Sequence, residues 1–159
     1  MKRLLILLIT IYFSNLYAAE IEGKVIRVSD GDTIAVLDAS NQTTKIRLAG
    51  IDAPEKKQAF GNRSKQSLSD LVYGKQVTII WNKTDRYGRT IGKVLLDKID
   101  INNQQLVRGY AWFYKKYENE LTMEDRKLYQ ESENKAKSSK IGLWYDSNPI
   151  EPWLFRKMR

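Results

Sequence analysis

Residues 46–55 read Ile46-Arg47-Leu48-Ala49-Gly50-Ile51-Asp52-Ala53-Pro54-Glu55. Ile46, Arg47 and Leu48 alternate apolar, charged and apolar, as a half-buried strand does, and Gly50 ends the run. One cation and two carboxylates, Asp52 and Glu55, therefore leave the end of one strand around a proline. Asp-x-x-Glu also resembles a helix capping box. Pro54 argues against that reading: proline favours the first helical position, which would make Ala53, a poor capping residue, the N-cap. The other reading is a site that grips a phosphate, holds a metal ion and aims a water molecule.

Working outward, short alternating segments at 24–28, 33–37 and 44–48 predict an antiparallel meander. The turn Asp30-Gly31-Asp32-Thr33 lies between the first two, and Ala39-Ser40-Asn41 between the second and third. Residues 76–81 and 90–96 predict two more strands, joined by the polar loop 82–89. Helices are expected at 63–72, capped by Asn62 and ended by Gly74, at 102–108 before Gly109, and from Thr122 to about Ser138. The last has a thin apolar face of Leu121, Leu128, Ser132 and Ala136. Residues 145–159 show no clear period and read as a C-terminal tail. Five strands followed by helices predict a mainly β, α+β domain over 20–144: a five-stranded OB-type Greek-key barrel capped by three α-helices.

Composition narrows the chemistry. The 159 residues include no histidine and no cysteine. That excludes Ser-His-Asp hydrolases, histidine-based nucleases and His-ligated zinc hydrolases, and it leaves a fold without disulfides. A hydrolase of this composition must use carboxylates as bases and ligands, and its metal should be hard and oxygen-bound, Ca²⁺ or Mg²⁺. Lys2 and Arg3 precede an apolar run over 4–13, with Ala18 and Ala19 behind it, which predicts a signal peptide over 1–19 and a secreted or periplasmic protein that meets the membrane only in transit. An uncleaved anchor is the alternative. Lys2 and Arg3 are two of the 27 Lys and Arg, so the mature chain keeps 25 against 19 Asp and Glu, a balance that attracts polyanions.

Asp32 alone reads as a turn residue, and Arg47 or Arg89 alone as a surface arginine. Jointly, with Asp52 and Glu55, they offer what phosphodiester hydrolysis needs: cations or a metal for the non-bridging oxygens, a base for water, and a donor near the departing oxygen. Tyr110-Ala111-Trp112-Phe113-Tyr114-Lys115-Lys116-Tyr117 interleaves rings with lysines, which is either core and rim packing or a surface on which bases stack.

In this order and spacing, Asp30-Gly31-Asp32-Thr33, Ile46-Arg47-Leu48, Ile51-Asp52-Ala53-Pro54-Glu55, Asp85-Arg86-Tyr87-Gly88-Arg89 and Leu106-Val107-Arg108-Gly109 closely resemble the staphylococcal nuclease (thermonuclease) family, over about residues 22–144. The resemblance implies an OB-type barrel with three helices that hydrolyses DNA and RNA with one Ca²⁺ and leaves 3′-phosphate products. It implies Asp32, Asp52 and the backbone carbonyl of Ala53 as metal ligands, Glu55 as the general base, and Arg47 and Arg89 on the phosphate. Tyr87 matches a nucleotide-contacting tyrosine, and Arg86 stands where a lysine is usual. Ala53 replaces a threonine, the loop after Glu55 is several residues shorter, and one residue is missing near 109–112. The second nucleotide-contacting ring is therefore Tyr110, Trp112 or Tyr114. Two alternatives are a non-catalytic nucleic-acid-binding barrel of the same fold and a basic adhesion domain. A monomer with no stable protein partner is the expectation.

Overall fold

The computed structural model describes residues 19–158. Apart from Ala19, the leader expected over 1–19 lies outside them, as does Arg159. No helix among the described residues is long and apolar enough to cross a membrane.

Five strands close into a barrel, as expected. Strands β1 (Ala19–Val28), β2 (Thr33–Leu37) and β3 (Thr43–Leu48) form the antiparallel meander. Strand β5 (Gln76–Thr84) pairs antiparallel with β1 and with β6 (Thr90–Leu96). Closure comes from a parallel pairing of β3 with β6, in which Ile46 faces Thr90, Arg47 faces Ile91 and Leu48 faces Gly92. Register shifts between Val25 and Arg27 and between Trp81 and Lys83 bend β1 and β5, as bulges at barrel corners do. The seam is locked by Asn102, which is fully buried. Its Oδ1 accepts from Val94 N–H at 3.0 Å, and its Nδ2 donates to the carbonyls of Ala49 (3.0 Å) and Gly92 (3.2 Å).

The barrel is filled by Val25, Ile34, Val36, Ile46, Leu48, Ile79 and Val94, against which Leu68, Leu106 and Tyr129 pack from the helices. Short strands β4 (Ile51–Asp52) and β8 (Trp112–Phe113) pair beside it, and β7 (Ile99–Asp100) extends the edge of β6. Helix α2 (Ile101–Val107) is capped by Asp100, whose carboxylate accepts from Asn103 N–H at 2.9 Å.

Two helices depart from expectation. Helix α1 (Gly61–Val72) starts two residues early, with Phe60 as N-cap in a left-handed conformation and no side-chain cap; Asn62 is exposed and does not cap it. The loop from Glu55 folds back so tightly that Gly61 lies on the Glu55 carbonyl, where any Cβ would collide. Helix α3 (Met123–Ser138) opens on Thr122 as expected, its side chain accepting from Asp125 N–H. Its inward face, however, is Tyr129, Ser132, Glu133 and Ala136, while Leu128 is exposed. Polar partners decide this rotation. The Tyr129 hydroxyl donates to Asp100 at 2.9 Å, and the buried Glu133 carboxylate accepts from Phe113 N–H at 2.9 Å and pairs with Lys137 at 2.8 Å.

The C-terminal stretch is also more ordered than a tail without period implies. Leu143 and Trp144 are buried in a second cluster with Trp112 and Ala136, against which Phe60 and Trp153 pack. Gly109 and Gly142 bring two backbones so close that a Cβ on either would collide with the other segment. Helix α4 (Pro152–Phe155) and a 3-10 turn (Arg156–Met158) then return the chain towards the barrel mouth.

Candidate active site

The barrel register gathers the candidate residues at one end. Thr33 is paired with Arg47, so Asp32, one residue before β2, sits where β3 exits. Thr90 is paired with Ile46, so Arg89, one residue before β6, arrives on the other side of the same strand. The Leu48 N–H donates to the Asp32 carbonyl and the Ala49 N–H to the Gly92 carbonyl, both at 2.9 Å, and the chain then turns through Gly50 into β4, which carries Asp52. Asp32, Arg47, Asp52, Ala53, Glu55, Arg86, Tyr87, Arg89 and Tyr114 consequently line one open cleft of about 900 Å³.

Arg47 is its centre. One guanidinium nitrogen lies 3.2 Å from Asp32 Oδ2 and donates to the Leu48 carbonyl at 2.9 Å; the other donates to Asp52 Oδ1 at 2.9 Å. This planar fork spans two carboxylates in a way that an ammonium could not. Burial works against the Arg47 charge, but Asp32 and Asp52 outweigh it and raise its pKa above the ordinary arginine value. Desolvation holds the Asp52 pKa above the usual carboxylate range against the opposing hydrogen bond from Arg156, and the neighbouring Asp32 charge pushes the same way as burial. Asp30, behind them, is raised to about 7 by burial and by Asp32.

The turn carrying Asp32 is clamped from several directions. Asp32 N–H donates to Asp30 Oδ1 at 3.1 Å, an Asx turn, and Ala53 N–H donates to Asp32 Oδ2 at 2.7 Å. Between them Gly31 packs so closely on Ser64 of α1 and on Ala53 that a Cβ would strike the Ser64 hydroxyl. Buried Gln105 of α2 donates to the Gly31 carbonyl at 2.7 Å and accepts from the Ser67 hydroxyl at 2.7 Å. The site wall is thus tied to both helices.

The donors that could hold a metal are Asp32, Asp52 and the Ala53 peptide. All are oxygens, which fits a hard divalent cation rather than zinc. Among the described residues no group of three or more acidic side chains converges as a metal cluster, so most of such an ion's shell would be water.

Arg89 is half-buried and paired with Asp85, donating from Nε at 2.7 Å. Hydrogen bonds from the Arg89 and Tyr87 backbone and from the Arg89 side chain overcome desolvation and hold Asp85 below the usual carboxylate pKa. Tyr87 projects from this loop, 68% exposed, with the Arg86 guanidinium 4.8 Å over its ring and Arg89 5.6 Å from it. Of the three candidates for a second nucleotide-contacting ring, the structure places only Tyr114 in the cleft. Trp112 is buried in the second cluster, edge-on to Trp144 at 4.2 Å, and Tyr110 does not line the cleft. One face of Tyr114 is covered by Trp153, stacked at 5.0 Å and 6°.

Sequence reasoning missed one residue altogether. Arg156, from the segment read as a tail, donates to Asp52 Oδ2 at 2.7 Å and to Glu55 Oε1 at 2.8 Å, and lines the same cleft. Partial burial opposes its charge, but the bonds to Asp52 and Glu55 prevail and raise its pKa above the ordinary value. The only sequence signal was Pro152-Trp153-Leu154-Phe155, an apolar quartet in a polar terminus.

Known proteins share this chain's sequence over much of its length. A family model described as staphylococcal nuclease homologue matches residues 45–146. A Haemophilus influenzae protein named "uncharacterized endonuclease" is 45% identical over 134 residues, covering 84% of this chain and 72% of its own. An Escherichia coli O157:H7 protein of the same name is 39% identical over 98% of both chains. A Shigella flexneri protein named "micrococcal nuclease" is 40% identical over 87% of this chain and 82% of its own.

Proposed function

The chain belongs to the staphylococcal nuclease family, and from that premise we propose that it is a secreted or periplasmic nuclease that hydrolyses DNA and RNA with little sequence specificity, depends on Ca²⁺ and leaves 3′-phosphate ends. Hydrolysis of phosphodiester bonds is the activity the family and its named endonucleases carry. The observation that supports the detailed reading best is the bridge made by Arg47 between Asp32 and Asp52, with Glu55 and Arg89 on the same cleft. A binding-only barrel would have no need to desolvate two carboxylates around a guanidinium.

In this reading Glu55 accepts the proton of the attacking water. Its reach is set by the backbone, because the Glu55 N–H donates to Gln58 Oε1 at 3.0 Å. Arg47 and Arg89 neutralise the non-bridging oxygens and the charge that builds on them in the transition state. Asp32, Asp52 and the Ala53 carbonyl would hold the Ca²⁺, which when bound would add charge neutralisation at the phosphate. Scission of the bond to the 5′ oxygen leaves the phosphate on the 3′ side. Tyr87 and Tyr114, with Arg86, contact the nucleotides; Trp153 already covers one face of Tyr114. Ring and charge contacts of this kind tolerate any base, which supports low specificity.

The test is to incubate the purified protein with plasmid DNA and with RNA, in Ca²⁺ or in excess EGTA, and to end-label the products. Cleavage of both substrates in Ca²⁺ only, with ends that resist labelling until dephosphorylated at the 3′ side, is expected. Undiminished cleavage in EGTA would remove the calcium requirement. N-terminal sequencing of the mature protein tests delivery through a leader: Glu20 as the first residue is expected, and Met1 would contradict it.

A further inference from the structure

The C-terminal segment reaches the cleft by a route independent of the ion pairs it makes there. Pro152 is buried, Trp153 stacks on Tyr114 and meets Trp112 edge-on at 5.9 Å, and the Ile150 carbonyl accepts from Gln58 Nε2 at 2.6 Å. Gln58 at the same time holds the Glu55 backbone through its Oε1, so one buried side chain ties the segment to the loop behind the general base. These contacts fix the Arg156 backbone at the cleft mouth whatever its guanidinium does. The side chain is 41% exposed and long enough to swing.

Its present partners are ones a divalent ion would also need. Asp52 Oδ2 accepts from Arg156 at 2.7 Å, and Oδ1 accepts from Arg47 at 2.9 Å and from Arg156 at 3.3 Å, so both oxygens are taken by guanidinium groups. A calcium ion binds carboxylate oxygen at about 2.3–2.6 Å. An ion there and the Arg156 fork on the same carboxylate would place three positive charges within a few ångströms. The two cations exclude each other at Asp52, while the anchored backbone keeps the displaced guanidinium in the cleft. The group that then needs donors there is the phosphate brought against Arg47 and Arg89, and a planar guanidinium matches its paired oxygens.

We propose that Arg156 is a further substrate-binding residue: its guanidinium rests on Asp52 and Glu55 in the free protein and passes to a phosphate oxygen of the nucleic acid when a divalent cation takes Asp52. The inference rests on the reading of Asp32 and Asp52 as the metal carboxylates. Arg156 thereby limits cation binding in the absence of substrate and strengthens substrate binding once the cation is in place.

The experiment pairs calorimetric titration of Ca²⁺, without nucleic acid, with steady-state kinetics on DNA at saturating Ca²⁺, for the wild type, Arg156→Ala, Arg156→Lys and Asp52→Asn. Arg156→Ala should bind Ca²⁺ about tenfold more tightly, ~1.4 kcal/mol. Its KM should rise about tenfold with kcat changed by less than about threefold, the pattern of lost uniform binding. Arg156→Lys, which keeps the charge and loses the fork, should lie between on both measures, and it carries the test if the alanine variant does not fold. If Asp52→Asn loses Ca²⁺ binding but neither Arg156 variant tightens it, there is no competition and the inference falls. Tighter Ca²⁺ binding with unchanged KM would overturn the substrate contact. Ca²⁺ binding by Asp52→Asn equal to the wild type would instead overturn the metal reading, and this inference with it.

Discussion

Replacing Arg47 by lysine separates charge from geometry. The guanidinium makes three contacts: 3.2 Å to Asp32, 2.9 Å to Asp52 and 2.9 Å to the Leu48 carbonyl. The two carboxylates are only 8% and 2% exposed. A lysine ammonium keeps the charge, but as a compact donor it cannot span both acids and the carbonyl at once. Loss of one charge-assisted bond to a buried carboxylate costs about 1.5–3 kcal/mol of stability. Removing the cation by Arg47→Ala costs ~3–5 kcal/mol, towards the lower figure because Arg156 still serves Asp52. For the reaction, loss of a transition-state donor costs about 10² to 10³ in kcat, roughly 3–4 kcal/mol. Arg47→Lys should therefore keep its fold and still lose at least about 10²-fold in kcat at saturating Ca²⁺. Urea unfolding and initial rates on plasmid DNA measure the two effects separately. A folded Arg47→Lys protein within about fivefold of wild-type kcat would refute the bridging role and leave a point charge as sufficient.

Three further outcomes follow from the supporting structure. Asp100→Ala removes the α2 cap and leaves the Tyr129 hydroxyl buried without its acceptor, so denaturant titration should show a loss of about 2–4 kcal/mol. Stability should fall as pH rises past about 10: pairing with Asp125 and Asp100 outweighs desolvation to raise the folded Lys93 pKa, and burial with Asp100 raises that of Tyr129, so both hold protons that the unfolded chain releases. That contribution is complete below the unfolded values and is lost through the folded ones, and thermal melts from pH 8 to 11 will show it as a falling Tm. Gly31→Ala should cost about 1–3 kcal/mol in urea unfolding, because its Cβ meets Ser64 and Ala53, and should weaken Ca²⁺ binding by shifting Asp32.

Much of this was legible in the chain because its signals are local. The alternation in residues 33–37 and 44–48, the turn at Asp30-Gly31-Asp32 and the strand exit at Arg47 each read correctly by themselves. The parallel closure of β3 on β6 was not legible, since pairing between strands more than forty residues apart leaves no periodic trace; yet it is what brings Arg89 to the same cleft as Arg47. On helix α3 the expected face was right at Ser132 and Ala136 but took Leu128 for Tyr129, because leucine is the more apolar residue whereas Tyr129 has the buried acceptor. Asn62 was expected to cap α1 because its residue type suits a cap; the backbone return at Gly61 took the position first. Arg156 was invisible for a different reason. Helix α4 has four residues and the following turn three, too few to display a period, and their place is set by stacking on Tyr114 and by Gln58 rather than by local propensity.

The central claim is that carboxylates and arginines at the barrel mouth hydrolyse the phosphodiester, with Glu55 as the base in place of any histidine. The most direct measurement is the single-turnover rate of plasmid DNA cleavage in saturating Ca²⁺ by wild-type and Glu55→Gln proteins shown to have the same melting temperature. A loss of at least about 10²-fold in the Glu55→Gln protein, with DNA binding retained, is the predicted result. Near-normal cleavage by that protein, with contaminating nuclease excluded, would contradict the account.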